Sequence, residues 1–254
     1  MPTTELKTTL HWRATEPLYK QIARNILQCL AQGEWKPGAQ LPTEHELAER
    51  FGVAIYTVRA GIGQLGAAGI LVRRQGKGTF VARHDRDRQT NLYSKVFHDD
   101  NRKLMTTNHT VTTFRKQLAD DRAMELLHLD QRQKQFVYYW EAVLKENERA
   151  IGFRRVTMPA HLFPGLTARA LRGKKENMYA FYEDLCGVNV IRFEDRVRAT
   201  KADAQLAKVL GVNQETPLLQ IDRISFTYND VPVELRTRIF DGLRYHYHTA
   251  QLGI

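Results

Sequence analysis

A chain of 254 residues is long enough for two domains of ordinary size or one large one, and 43% hydrophobic with 26% charged residues supports true cores. A formal net charge of +10 points toward a polyanionic partner without deciding it, because a basic surface is often only solvated. Two isolated cysteines, Cys29 and Cys186, make neither a disulfide framework nor a zinc pattern and read as small core residues.

Residues 1–16 read as a loose leader without the apolar core of a signal peptide. No apolar run approaches the roughly 20 residues a membrane span needs. A cytoplasmic protein with no membrane association is expected. Pro17 suits an early helix position. Leu18, Ile22, Ile26 and Leu30, with Tyr19, Ala23 and Leu27, give that helix an apolar face, and Gly33 and Pro37-Gly38 end it.

Thr43 stands three residues before Glu46, the spacing of a capping box. Leu47, Ala48 and Phe51 make the short apolar stripe of the helix so started, and Gly52 closes it. A second helix is predicted from about Ala54, with Val58, Ile62 and Leu65 on one face and Ile55, Tyr56, Arg59 and Gly63 on the other. Gly69 stops it. Strands are predicted at 70–73 and 79–82, around the basic turn Arg74-Gln75-Gly76-Lys77-Gly78. Helix, tight turn, helix and basic hairpin in this order make a winged helix-turn-helix, whose second helix lies in the DNA major groove. The alternative is a small helical core that merely happens to be basic. The ordered spacing of helices and wing argues against it.

The same residues resemble the GntR-type bacterial transcription regulators. The match runs through Leu41, Pro42, Glu44, Glu46, Leu47, Ala48, Phe51, Gly52, Val53, Thr57, Val58, Arg59, Leu65, Gly69, Arg73 to Gly76 and Gly78 to Val81. It departs at His45, Ala54 and Ile55, where the family carries Arg, Ser and Arg. The residues expected to face DNA are Thr43, Glu44, His45, Ile55, Tyr56, Thr57, Arg59, Arg73, Arg74, Gln75, Gly76, Lys77, Gly78 and Thr79. Arg59 can bond guanine bidentately or hold a phosphate. Its alternative is a surface arginine bonded to Glu49 or to water. Thr43 is first a helix cap and only second a phosphate contact. Glycines on both sides of Lys77 let the wing backbone approach the DNA closely, although an ordinary hairpin loop has the same look.

The polar, charged stretch after His84 marks a domain boundary, with Leu92, Tyr93, Val96 and Phe97 able to pack on a neighbouring surface. The expected division is 1–84 for the winged helix, 85–105 for a linker and 106–254 for a second domain. There the reading is a strand at 110–114, a helix at 120–127, and strands at 136–144 and 150–158 joined by Asn147-Glu148. A short irregular helix follows Pro164, and a helix at 178–185 is closed by Gly187. A long strand at 188–200 precedes a helix at 202–210 capped by Gly211. Strands at 218–228 and 231–240 are joined by Asn229-Asp230. This order predicts an α+β domain on an antiparallel sheet.

From Phe136 to Tyr247 the text is similar to the UTRA effector domain of the HutC branch of those regulators, most clearly at LGV…PLL, DVPVE and the closing RY. The resemblance implies a chorismate-lyase-like fold, an antiparallel sheet with helices around a small-molecule pocket. By position it implies Arg154, Asn177, Tyr179 and Glu234 as effector-binding residues. Arg236 and Arg238 alternate with Glu234 on one strand face. Together these residues suit a small polar or anionic metabolite, either an anion or a zwitterion. The alternative is that Glu234 pairs structurally with one of the arginines. The arginine pair that holds phosphate in the family's sugar-phosphate sensors aligns with Ala142 and Leu144, which counts against that effector. Arg154 stands where those sensors carry an acidic residue.

No nucleophile elbow, phosphate loop or metal-ligand helix occurs, so no catalytic residue, metal or cofactor is expected. His246 and His248, in RYHYH, read as surface histidines. The expectation is a homodimeric, metabolite-responsive repressor that binds double-stranded operator DNA. The alternatives are a lyase-like enzyme of the second domain and a non-specific structural DNA-binding protein.

Overall fold

The computed structural model describes residues 12–13, 15–84, 95–100, 108–172 and 177–249. The chain divides into two compact units, Met1–Ala82 and Arg83–Ile254.

The first unit opens with α1 (Leu18–Ala31), which buries Ile22, Ala23, Ile26, Cys29 and Leu30. Pro17 is the residue before its first turn. Most of the expected leader lies outside the described residues. At α2 (Glu44–Phe51) the capping box forms. Thr43 Oγ1 accepts from Glu46 N at 3.2 Å, and the Glu46 carboxylate accepts from Thr43 N at 2.7 Å. Gly52 turns the chain at φ 64°. α3 (Ile55–Ala67) follows Ala54, which supplies no side-chain cap. The helix crosses α1 at Gly61, where a Cβ would stand 3.0 Å from both Ile22 Cγ2 and the Tyr19 carbonyl. The wing is an antiparallel pair, β1 (Leu71–Arg74) and β2 (Gly78–Val81). The first strand starts one residue later than predicted because Ile70 still closes the end of α3, bonding Leu65 O through its N–H.

In the second unit the stretch expected as linker is in part structural. Here β3 (Val96–His98) pairs with the last strand, β10 (Tyr245–Tyr247), and Val96 is fully buried. Leu92 and Tyr93 lie outside the described residues. Between these two short strands come β4 (Asn108–Leu118), β5 (Phe136–Glu146), β6 (Arg149–Pro159), β7 (Arg192–Lys201), β8 (Pro217–Phe226) and β9 (Pro232–Asp241). They form one six-stranded antiparallel sheet in the order β4-β5-β6-β9-β8-β7. Two left-handed residues, Asn147 and Glu148, make the β5–β6 turn, and Asn229 and Asp230 do the same between β8 and β9. Alternation along each strand gives the sheet two apolar faces. Against Leu235 and Ile239 on one face lie α4 (Asp121–Leu126) and α7 (Ala204–Leu210). On the other lie α5 (Ala168–Arg172) and α6 (Met178–Cys186), which pack Leu171, Tyr179 and Tyr182 against Trp140, Val156 and Met158.

In the second unit β7 and α7 start later than expected. The strand expected from Val188 starts at Arg192, because Val188 and Val190 turn into the core under α6. The helix expected from Ala202 starts at Ala204, since Asp203 caps it and bonds Leu206 N. Among the described residues no helix is long and apolar enough to cross a membrane.

Candidate nucleic-acid interface and effector site

The outer side of α3 begins with Ile55 and Tyr56, which are 42% and 76% exposed. One turn on, Arg59 donates from Nε to Glu44 Oε2 at 2.8 Å, and Arg73 of β1 donates to the other oxygen of the same carboxylate. Glu44 therefore ties the helix and the wing into one surface. The partner of Arg59 is Glu44, not the Glu49 weighed from sequence. Glu49 lies 3.3 Å from His45 Nε2. Arg74 lays its guanidinium over Phe80 at 4.7 Å. The turn is Gln75-Gly76-Lys77, exposed, with Gly76 at φ 70° and Gly78 at φ 109°. At φ 109° Gly78 would be strained by any side chain, and a Cβ there would also push on Gln40 Nε2, 2.8 Å away. Gln40 in turn donates to Lys77 O at 2.9 Å and fixes the wing tip. Thr79 O accepts from Leu41 N, and Thr57 N donates to Ala54 O in the first turn of α3. Thr43 is spent as the cap of α2.

In the second unit the strand register assembles the expected effector residues. Arg154 of β6 lies directly opposite Arg238 of β9, and Arg236 lies opposite Arg223 of β8. All four are buried. Glu234, completely buried, accepts from Tyr182 Oη at 2.8 Å, Ser225 Oγ at 3.1 Å and Arg236 at 2.8 Å. Burial alone would raise its pKa, but Arg236 outweighs that and holds the carboxyl below its usual range. The structural alternative weighed from sequence is therefore present, Glu234 pairing with Arg236, and among the described residues Arg154 and Arg238 have no such partner. Tyr179 Oη lies 3.0 Å from Ser225 Oγ, and its ring lies under Arg236 at 4.9 Å.

Asn177 has another task. Its Oδ1 accepts from Tyr179 N and Ala180 N, capping α6, and its Nδ2 donates to the His84 carbonyl at 3.1 Å. The His84 N–H donates to Glu183 at 3.4 Å, and Arg83 pairs with Glu183 and Asp184. Sequence reasoning missed Arg223, Asp195, Tyr182, Ser225 and His109. Asp195 accepts both ends of the Arg223 guanidinium, at 2.6 and 2.7 Å, and the Tyr247 hydroxyl at 2.8 Å. His109 is pushed down to about 4, first by burial and then by Arg154. Arg223 and Ser225 alternate along β8 as Glu234 and Arg236 do along β9, a signal usable only once the two strands are paired. Ala142 sits opposite Arg154, and Leu144 belongs to the apolar core. His246 and His248 pack around Phe97. No group of three or more metal-ligating side chains occurs among the described residues.

Comparison with known proteins returns two family profiles, "Bacterial regulatory proteins, gntR family" over residues 18–81 and "UTRA domain" over residues 103–246. The mannosyl-D-glycerate transport/metabolism system repressor MngR of Escherichia coli (strain K12) is 30% identical over 209 residues, covering 81% of this chain and 83% of that protein. The crystal structure of the ligand-binding domain of a GntR-family regulator from Bordetella bronchiseptica is similar over 62% of this chain and 96% of that one, with 28% identity and a TM-score of 0.56. PhnF from Mycobacterium smegmatis aligns over 92% of this chain and its own full length, at 24% identity and a TM-score of 0.52, a likeness of fold.

Proposed function

The chain belongs to the gntR family of bacterial regulatory proteins and carries a UTRA domain, and from that premise we propose that it is a homodimeric repressor of the cytoplasm whose operator affinity is set by a small polar or anionic metabolite. It is a DNA-binding transcription regulator of a family of regulators, not enzymes. In this reading residues 1–84 are the reading head and 106–254 the sensing and pairing domain. Residues 85–105 connect them, with Val96–His98 folding into the sensing side.

The observation that carries the reading is the Glu44 bridge, which sets Arg59 of α3 and Arg73 of the wing side by side on one exposed surface. That surface suits a major groove entered by α3 and a flanking backbone held by Arg73, Arg74 and Lys77. Ile55 and Tyr56 add apolar contact of the kind that reads a thymine methyl. Thr43, Glu44, His45, Thr57, Gln75, Gly76, Gly78 and Thr79 complete the footprint. The metabolite binds among Arg154, Tyr179, Glu234, Arg236 and Arg238, with Asn177 at the edge. Its binding favours one arrangement of the chain over another and so changes operator affinity.

The test is a randomised-operator selection on the full chain, followed by titration of the selected duplex and a scrambled one at matched salt. A palindromic site bound by two chains is expected. Equal affinity for both duplexes would instead favour a non-specific DNA binder.

A further inference from the structure

We propose that the effector is a dianion, a small molecule carrying two negative charges on oxygen, held by Arg154, Arg238 and Arg236 on one face of the sheet. The proposal rests on the sensing role above and adds the charge that the ligand must bring.

Four buried guanidiniums share this face, Arg154, Arg223, Arg236 and Arg238, arranged as two directly opposed cross-strand pairs. Like charges facing each other across a sheet repel. Two of the four have counter-ions: Arg223 has Asp195 and Arg236 has Glu234. Arg154 and Arg238 have none among the described residues. The nearby His109 brings no negative charge either, and its pKa is depressed first by burial and then by the Arg154 charge. Two positive charges therefore stand uncompensated in a buried place, a cost that one bound dianion removes.

The donors agree with the charge. Among the described residues, Arg154 Nε and Nη1, Arg236 Nε, and Arg238 Nε and Nη2 are buried without a hydrogen-bond partner, as is Trp140 Nε1 beneath Arg154. Buried donors of this kind are normally satisfied. Guanidinium edges on adjacent strands are suited to oxyanions. A zwitterion fits poorly. Its ammonium would need a free carboxylate, and the two here are already committed, Glu234 to three donors and Asp195 to Arg223 and Tyr247. Ala142 and Leu144 do not oppose a dianion, because the positive charge absent there is supplied from β6 and β9.

The experiment uses the full chain at constant ionic strength and pH 7.5, with thermal unfolding and calorimetry as readouts. Inorganic phosphate and succinate are the dianionic probes and separate a phosphoryl ligand from a dicarboxylate. Acetate, glycine and chloride are the controls. At least one dianion should raise the unfolding midpoint well beyond the controls. Arg154→Met and Arg238→Met should each weaken that binding about tenfold to a hundredfold. The same substitutions should raise the midpoint of the ligand-free protein, because each removes a buried, uncompensated charge. General salting-out by phosphate raises the wild type and the variants alike, so the difference between them is the signal. A dianion response that is equal in the variants overturns the proposal. So does a wild type that answers dianions no better than acetate. A larger, variant-sensitive response to glycine leaves the sensing role standing and overturns the charge. Should a variant fail to fold, calorimetry on the wild type decides, because a bound dianion gives a saturable heat and salting-out does not.

Discussion

Arg59 lies on the outer side of α3 with its Nε bonded to Glu44, which restricts the guanidinium on that surface. Arg59→Ala should cost about 1–3 kcal/mol of operator binding and relax preference at one base pair, read by titration against single-base operator variants. Undiminished specific binding at matched salt would remove Arg59 from the interface. Glu44 is half-buried, but both its arginine partners are exposed, and ion pairs open to water on one side contribute only about 0–1 kcal/mol to folding. Glu44→Gln should leave the unfolding midpoint near its original value, strengthen binding to scrambled DNA and narrow the operator-to-scrambled ratio. His109 gives a pH signature. Its pKa of about 4 in the folded chain lies below the ordinary 6.5, so between those values the unfolded chain binds more protons. Stability contributed by the neutral ring is complete above about pH 6.5 and is lost as pH falls toward 4, on the order of 3 kcal/mol. Denaturant unfolding at steps from pH 7 to 4.5 should show His109→Gln losing less than the wild type. Parallel losses would place the titrating group elsewhere. Glu234, Arg236 and Arg238 were legible in the sequence because alternation along one strand is local. Arg223 and Asp195 were not, because their part in the cluster depends on which strands are neighbours.

α3 shows the same division at the scale of an element. Its sequence presents Gly61, Gly63 and Gly66 alike, and the surroundings separate them. Gly61 is pressed against α1. A methyl group at Gly63 would meet no atom within 4 Å, and one at Gly66 only the Leu71 carbonyl at 4.0 Å. Gly63→Ala should therefore stabilise the unit by up to about 1 kcal/mol. Gly61→Ala should destabilise it by about 1–3 kcal/mol, since α1 must move. Chemical denaturation of both variants checks the pair, and a destabilising Gly63→Ala would show that the helix has a partner at that point. Ala54 leaves α3 uncapped, so Ala54→Ser should add about 0.5–2 kcal/mol, visible as slower amide exchange over residues 55–68. Equal protection in both proteins would mean that packing already holds the first turn. The capping box of α2 was legible because all its atoms lie within four residues. β3 and β10 were not: each is three residues long, too short for a period, and their pairing joins Tyr245 to His98 from opposite ends of the second unit's sequence.

For the whole molecule, the charge of +10 favours a polyanion, and in DNA binding each phosphate neutralised steepens the salt dependence by about 0.9 in a double-logarithmic plot. Lys77→Ala should lower that slope by about one while leaving the selected sequence unchanged. An unaltered slope would take Lys77 off the backbone. The hydrogen bond from Asn177 to the His84 carbonyl has a wider consequence. His84 is among the first residues of the second unit, and Asn177 caps the helix that carries Tyr179. If that bond transmits the signal, ligand and DNA occupy two corners of a linkage cycle. The factor by which ligand alters operator affinity must then equal the factor by which operator alters ligand affinity. Asn177→Ser keeps a capping oxygen but cannot span to His84, so both factors should shrink together toward one, whether or not either affinity alone changes. A factor that survives in both directions would route the signal elsewhere. On that coupling the operator is itself an effector of the sensing domain, and every promoter the protein occupies shifts the metabolite concentration to which it responds.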